Sequence, residues 1–287
     1  MLNKIFAIIV TYNPEIKKIV QQYQSLEDQV DGFIYVDNNS EDNLINNYPQ
    51  SEKVKLILCE SNLGLGKAQN IGIREAIENG ATHVVLFDQD SIADSKLIEN
   101  LVFAEKSNIE NGIKVGLVGP AIYNNFVFPP KLEKAVVKLG ILIKKAFPNN
   151  ASMEVEYCIA SGSLISKDLF VNVGFINEDL FIDALDLEWC QRAKFKGYKI
   201  LLCSDAKIFH ELGNGVDDKI LSHSPLREFY ICRNNMSLVR MKHIPIGYRI
   251  RKFFLTPIRP LTSLVRLNLQ HCIHGLKGII EGIKYSN

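Results

Sequence analysis

Apolar residues in the first third of the chain come in short unbroken runs rather than in alternation. KIFAIIV (4–10), GFIYV (32–36), KLILC (55–59) and HVVLF (83–87) each read as a strand buried on both faces. Between runs the apolar positions switch to helical spacing: Ile16, Ile19, Val20, Tyr23 and Leu26, then Ile71, Ile73, Ala76 and Ile77. Asn13 reads as the cap of the first helix with Pro14 as its first residue, and Asn79-Gly80 as the stop of the second. This alternation predicts an α/β domain: a Rossmann-like, mostly parallel central sheet flanked by helices.

Such sheets bind their ligands beyond the carboxyl ends of the strands. The residues there are Thr11-Tyr12-Asn13, Asp37-Asn38-Asn39-Ser40, Glu60-Ser61-Asn62 and Asp88-Gln89-Asp90. All are polar, and all are predicted to face one crevice.

The second half is less regular. VGLVGPAIY (115–123) and YCIASGSLIS (157–166) read as strands separated by a loop over 129–150, and KILLC and AKIFH as two further strand-like runs. DALDLEWCQRAKFKGY (183–198) reads as an amphipathic helix ending at Gly197. From Arg249 to Asn287 the chain carries seven Lys/Arg against one acid, Glu281, although the whole chain has a net charge of only +1. Phe254, Ile258, Leu261, Val265, Leu269, Leu276, Ile280 and Ile283 recur there at helical steps, interrupted by Pro257 and Pro260. We divide the chain into a domain over 1–248 and a basic amphipathic helical tail over 249–287. The tail suits an anionic membrane surface, or a helix packed on the domain with its basic face in solvent.

Composition narrows the class. Near-zero net charge argues against a strongly basic nucleic-acid binder, and 47% apolar with 23% charged residues is ordinary for a globular chain. Six scattered cysteines without a CxxC pair fit reduced core thiols rather than a disulfide framework or a zinc site. The N-terminal apolar run is too short for a leader, and no stretch reaches the ~20 apolar residues of a spanning helix.

Three clusters carry candidate chemistry. Asp88 and Asp90 end a buried strand at the ligand edge. In extended backbone their side chains point the same way, toward a hard cation and a diphosphate, whereas in isolation the pair reads as a solvated turn. ESNLGLGKAQN (60–70) lacks both the Walker and the G-x-G-x-x-G spacings. As a Gly turn opening a helix, it leaves Asn62, Gly64 and Lys67 to hold a phosphate or sugar hydroxyl, or to form a plain turn. On the helix over 183–198, Asp183 and Asp186 share a face with Glu188 turned from Asp186, so a carboxylate there could serve as general base. His210, before Gly213 and Gly215, is a candidate third metal ligand.

In order along the chain, IIVTYNP, VDNNSED, SNLGLGKAQNIGI, LFDQDS, ASGSLIS, DALDLEWCQRAKFKGY and FHELGNG resemble the family 2 glycosyltransferases, which have the GT-A fold. The resemblance covers about residues 5 to 240. FDQDS, FID followed by DLEW, and REFYICRNN are similar to the rhamnosyltransferase branch, whose members use dTDP-β-L-rhamnose to build bacterial surface polysaccharides. It implies that Thr11, Tyr12 and Asp37 contact base and ribose, that Asp88 lies near the ribose, and that Asp90 binds Mg2+ or Mn2+ with His210 at the metal–diphosphate site. It implies Asp186 as general base of an inverting attack, with Arg233 and Asn234 reaching the diphosphate or the acceptor. Asn13, Asn62, Gly64, Lys67 and Gln89 complete the expected donor set. Where many members have Glu-Asp at the base position, this chain has Leu185-Asp186, so Asp183 or Glu188 stays open as an alternative. The processive members' Q-x-x-R-W is absent, which implies addition of one or a few sugars.

The resemblance further implies a nucleotide-sugar donor, a lipid-linked saccharide acceptor, and a cytoplasmic enzyme peripheral on the inner membrane face; a homo-oligomer stays open. A nucleotidyltransferase would be expected to carry a Gly-rich loop with Arg and Lys after the first strand, where TYNP stands. A non-catalytic nucleotide-sugar-binding protein would be expected to have lost Asp90 or Asp186, and both are present.

Overall fold

The computed structural model describes residues 3–41, 47–124, 129–149, 151–210, 224–265 and 267–284, without the His210 side chain. Its elements are β1 (Ile5–Thr11), α1 (Ile16–Leu26), β2 (Gly32–Asp37), β3 (Val54–Leu58), α2 (Leu65–Glu78), β4 (His83–Asp88), β5 (Ile92–Ala93), α3 (Leu97–Glu110) and β6 (Val115–Asn124). There follow β7 (Lys131–Leu132), β8 (Ala135–Lys138), β9 (Lys144–Ala146), β10 (Met153–Val155), β11 (Ser163–Ser166), α4 (Lys167–Asn172), α5 (Leu185–Phe195), β12 (Lys199–His210), α6 (Pro225–Arg240), α7 (Ile246–Leu255), α8 (Ile258–Val265) and α9 (Leu269–Lys284).

The sheet runs β10-β12-β6-β11-β4-β1-β2-β3, with β5 beside β12 and β7 beside β6. β3, β2, β1, β4, β6 and β12 share one direction, while β11 and β10 run against their neighbours. The unbroken apolar runs follow from helices covering both faces. Along β1, Ile5, Ala7 and Ile9 enter one core with Ile19, Phe33 and Leu101, and Phe6 and Ile8 enter the other with Ile73, Leu86 and Trp189. Register brings the polar strand ends together: Thr11 pairs with Asp37 on one side of β1, and Val10 with Asp88 on the other.

Five local expectations change. The first helix begins at Ile16 with Glu15 at its cap, because Asn13 takes φ 45° and leaves the chain non-helical through Pro14. Residues 129–150 include the β8–β9 hairpin rather than a bare loop. Only Ser163–Ser166 of 157–166 is a strand, because a turn at Ala160–Ser163 with Gly162 at φ 77° precedes it. KILLC and AKIFH form one strand with a register shift between Cys203 and Lys207. The helix expected from 183 starts at Leu185, since Asp183 and Ala184 both have φ 65°.

α7 runs across the 248/249 division, and α9 packs on α6 through its small residues. A Cβ at Gly278 would strike the Phe229 carbonyl and one at Gly282 the Arg233 carbonyl, so only glycine permits this approach. All eight periodic apolar residues of the tail consequently stay exposed, from 47% at Ile258 and Leu276 to 83% at Val265. Packing by an apolar stripe, the first form a docked helix would take, is not what holds the tail. Among the described residues no helix is long and apolar enough to cross a membrane.

Candidate active site

A cleft of about 680 Å3 opens at the carboxyl ends of β1 and β4, and its lining includes Thr11, Tyr12, Asn62, Gly64, Asp88, Gln89, Asp90, Asp183, Asp186 and Arg227. β4 stops at Asp88, and Gln89 and Asp90 form a turn with Ser91 N donating to Asp88 O at 3.4 Å. The two acids therefore do not share an extended strand; the turn delivers both to the cleft. Buried Gln22 of α1 fixes that turn, its Nε2 donating to the carbonyls of Asp88 (2.7 Å) and Ser91 (2.8 Å). From the other side Asp88 N donates to Ser161 Oγ at 3.2 Å, and Ser161 Oγ to Ser91 Oγ at 2.6 Å. Gln89 turns to β1, where Tyr12 N donates to its Oε1 at 2.9 Å.

Asp37 sits behind the wall, almost fully buried. Its Oδ2 accepts from Thr11 Oγ1 (3.1 Å) and Tyr48 Oη (2.8 Å), and its Oδ1 from Ser40 N (2.8 Å). Asn38 accepts from Leu63 N at 2.8 Å and donates to Asn62 Oδ1 at 3.0 Å, which ties the second and third strand ends together. Asn13 joins the Ser40–Glu41 segment, Lys67 lies exposed on α2, and neither is in the cleft lining. The first amides of α2 are already engaged, Leu65 N donating to Phe181 O at 2.6 Å and Gly66 N at 3.4 Å. Asn62 and Gly64 of the Gly turn line the cleft all the same.

The opposite wall is a strained loop. Phe181 has φ 61° and ψ −64°, and Ile182 N donates to Leu180 O at 2.7 Å, which defines a γ-turn of the rare hand. Three positive φ values in four non-glycine residues store strain that the surroundings must offset. Asn234 of α6 does so: fully buried, its Nδ2 donates to the carbonyls of Leu180 (2.8 Å), Ile182 (2.6 Å) and Asp183 (3.0 Å). The Phe181 ring stacks on Tyr230 at 4.6 Å between centroids and also meets Gly64, where a Cβ would come within 2.5 Å. Arg227 pairs with Asp183 through Nε–Oδ2 (3.2 Å) and Nη2–Oδ1 (2.9 Å), and the pairing raises the Arg227 pKa further. Asp183 thus reaches the cleft from a turn, not from a shared helical face with Asp186.

Two acids of α5 sit in opposite environments. Burial, then Asp88 and Asp183, push Asp186 from 3.8 up to about 7, against a backbone hydrogen bond at Ala160 that lowers it. Glu188 is buried away from the cleft; despite that burial, His243 and two bonds from Arg192 (2.9 and 3.0 Å) hold it below the ordinary value. Glu188 is therefore a structural ion pair, and of the three candidate bases only Asp183 and Asp186 line the cleft. Arg233 points elsewhere, donating to the Asp179 carbonyl and lying 4.8 Å from the Tyr230 ring centroid. The His210 side chain and the glycine loop after it lie outside the described residues. Among the described residues no three His, Cys, Asp or Glu converge as a complete metal cage. Asp88 and Asp90 in one cleft nonetheless fit Mg2+ or Mn2+, hard ions held by one or two carboxylates plus substrate phosphates.

A cleft at the switch edge of a mostly parallel sheet, with paired acids on one wall and a carboxyl raised to about 7 on the other, is the ligand site of an α/β enzyme. The sequence pattern described as "Glycosyl transferase family 2" matches residues 6–173, and the chain belongs to that family. The dTDP-rhamnosyl transferase RfbF of Shigella flexneri is 30% identical over 308 residues, spanning the whole of both chains. The low-salt glycan biosynthesis hexosyltransferase Agl10 of Haloferax volcanii is 23% identical over 73% of this chain and 68% of its own. In fold, the chain resembles GalNAc-T7, solved with UDP, GalNAc and Mn2+ (TM-score 0.63, 13% identity, 99% of this chain but 56% of that one). It also resembles residues 1–349 of S. aureus TarS (TM-score 0.58, 16% identity, 98% and 81%). The protein is a glycosyltransferase with the GT-A fold.

Proposed function

We propose that this glycosyltransferase transfers L-rhamnose from dTDP-β-L-rhamnose, with inversion, to a hydroxyl of a lipid-linked saccharide at the inner membrane face. The observation that carries the mechanism is Asp186, half-buried on the cleft wall with its pKa raised to about 7, close to the optimum for a general base at neutral pH. The donor assignment is supported by the full-length relative named for dTDP-rhamnosyl transfer.

Asp186 takes the proton of the acceptor hydroxyl as its oxygen attacks the anomeric carbon, and the nucleoside diphosphate leaves from the opposite face. Thr11 and Tyr12 line the base and ribose end, Asp88 faces the ribose, and Asp183, clamped by Arg227, positions the sugar. Asp90, with His210, would hold Mg2+ or Mn2+, which supplies positive charge to the leaving diphosphate. Membrane association is supported by the exposed apolar stripe on a strongly basic tail.

The test is to incubate the chain with a panel of nucleotide sugars and Mg2+ while measuring nucleoside diphosphate release. Selective turnover of dTDP-rhamnose supports the reading; preference for another donor overturns the donor assignment.

A further inference from the structure

Asp183, Ala184 and Asp186 line a second pocket as well as the donor cleft. This pocket, about 300 Å3, lies among α5, α6, α7 and α8, and Tyr157, Asn235, Tyr248, Lys252 and Arg259 supply its polar lining. Arg259 is matched by buried Glu228, with Nε–Oε1 at 2.9 Å and Nη2–Oε2 at 2.6 Å. Lys252 is not matched. Among the described residues its half-buried ammonium has no carboxylate and no hydrogen bond, only the Tyr248 ring 5.1 Å away. Burial, then Arg259 and Arg251, lower it from 10.5 to about 8, against Cys232, which raises it. The Asn235 carboxamide and the hydroxyls of Tyr157 and Tyr248, all in the pocket lining, likewise make no side-chain hydrogen bond to described residues.

Several unpaired donors and acceptors gathered on the walls of one concave pocket suit a ligand that supplies their partners. Here the ligand must offer negative charge to Lys252 and a hydroxyl to Asp186. Phe253 and Phe254, next in the chain to Lys252, and Ile258, before Arg259, are exposed.

We propose that this pocket is the acceptor subsite, in which Lys252, with Asn235 and Tyr248, binds a phosphate or diphosphate on the acceptor's own anomeric carbon while its hydroxyl meets Asp186. The inference rests on the glycosyl-transfer reading with Asp186 as base. The same chemistry is offered by a soluble sugar phosphate and by a lipid-anchored sugar diphosphate.

The test is calorimetric titration of the full chain, its donor cleft filled with saturating dTDP, against three probes sharing one hexose: a methyl glycoside, a methyl hexosyl diphosphate, and a decyl hexosyl diphosphate. Both phosphorylated probes should bind about tenfold or more tightly than the glycoside. Lys252→Met should remove that advantage and Asn235→Ala reduce it, with dTDP affinity unchanged; Lys252→Arg should retain most of it. A further gain from the decyl chain assigns the lipid source, and equal affinity of the two assigns the soluble one. Equal binding of all three probes, or a loss of dTDP affinity in Lys252→Met matching the loss for the probes, overturns the proposal. Failure of dTDP to bind the native chain would instead overturn the dTDP-donor assignment, with phosphate selectivity at Lys252 still measured in its absence.

Discussion

Asp186→Asn should stabilise the metal-free protein while abolishing transfer. Holding a carboxyl with an ordinary value of 3.8 at about 7 corresponds to about 4 kcal/mol once it is fully ionised. Solvent in the open cleft reduces that, and the expected gain is on the order of 2 kcal/mol, roughly 4–6 °C in Tm for a chain of this size. The pH dependence carries the sign. Below about 3.8 the carboxyl is protonated in folded and unfolded chains alike, and native and variant should be equally stable. Between about 4 and 7 the unfolded chain releases its proton first, so native stability falls as pH rises; above 7 the penalty is complete. An amide of the same shape never ionises. Urea unfolding in EDTA from pH 4.5 to 8.5 should show the two curves separating across this window and running parallel above it. Glu188→Gln, on the same helix, should do the reverse and lose about 3 kcal/mol at pH 7, because it breaks a buried pair. A variant gap that is absent above pH 7, or constant over the whole range, would refute the assignment of a penalised carboxylate at Asp186.

Three further outcomes can be checked. Asn234→Ala removes three hydrogen bonds from the strained loop and should lower kcat by about a hundredfold with little change in nucleotide affinity, as steady-state kinetics and dTDP titration would show. Gly64→Ala, at φ 84° and ψ 159° against the Phe181 ring, should cost about 1–3 kcal/mol in chemical denaturation and weaken donor binding. Leu276→Asp with Ile280→Asp, both exposed, should leave Tm within about 2 °C while abolishing co-sedimentation with anionic vesicles; retained sedimentation would remove the stripe from membrane binding.

What the sequence carried was local. The four runs and their polar ends are legible because a strand buried on both faces needs unbroken apolar residues, and the carboxyl-edge rule then gathers Thr11, Asp37 and Asp88. The residues that hold the site in shape were not legible. Gln22 grips carbonyls 66 and 69 positions away, and Asn234 grips carbonyls more than 50 positions back. Arg227 reaches Asp183 across 44 positions. No periodicity records such partners; at most, Gln22 signals itself as a polar residue on the inward face of α1, between Ile19 and Leu26. The γ-turn at Phe181 contains no glycine or proline to announce it, so the helical pattern runs two residues past the true start of α5 toward it. In the tail, periodicity marked an apolar stripe but not which side docks, because a glycine face can seat a helix without any apolar signal.

One sixteen-residue helix, α6, carries Arg227 for the donor cleft, Asn234 for the catalytic loop, Asn235 for the second pocket and the seat for Gly278 and Gly282. These functions share one rigid body and are not inherited separately. Substitutions at them should be non-additive in double-mutant cycles even where the side chains do not touch. The unit that can be exchanged between relatives is α6 through α9 together: a tail grafted at residue 249 would arrive without the surface it was shaped to sit on.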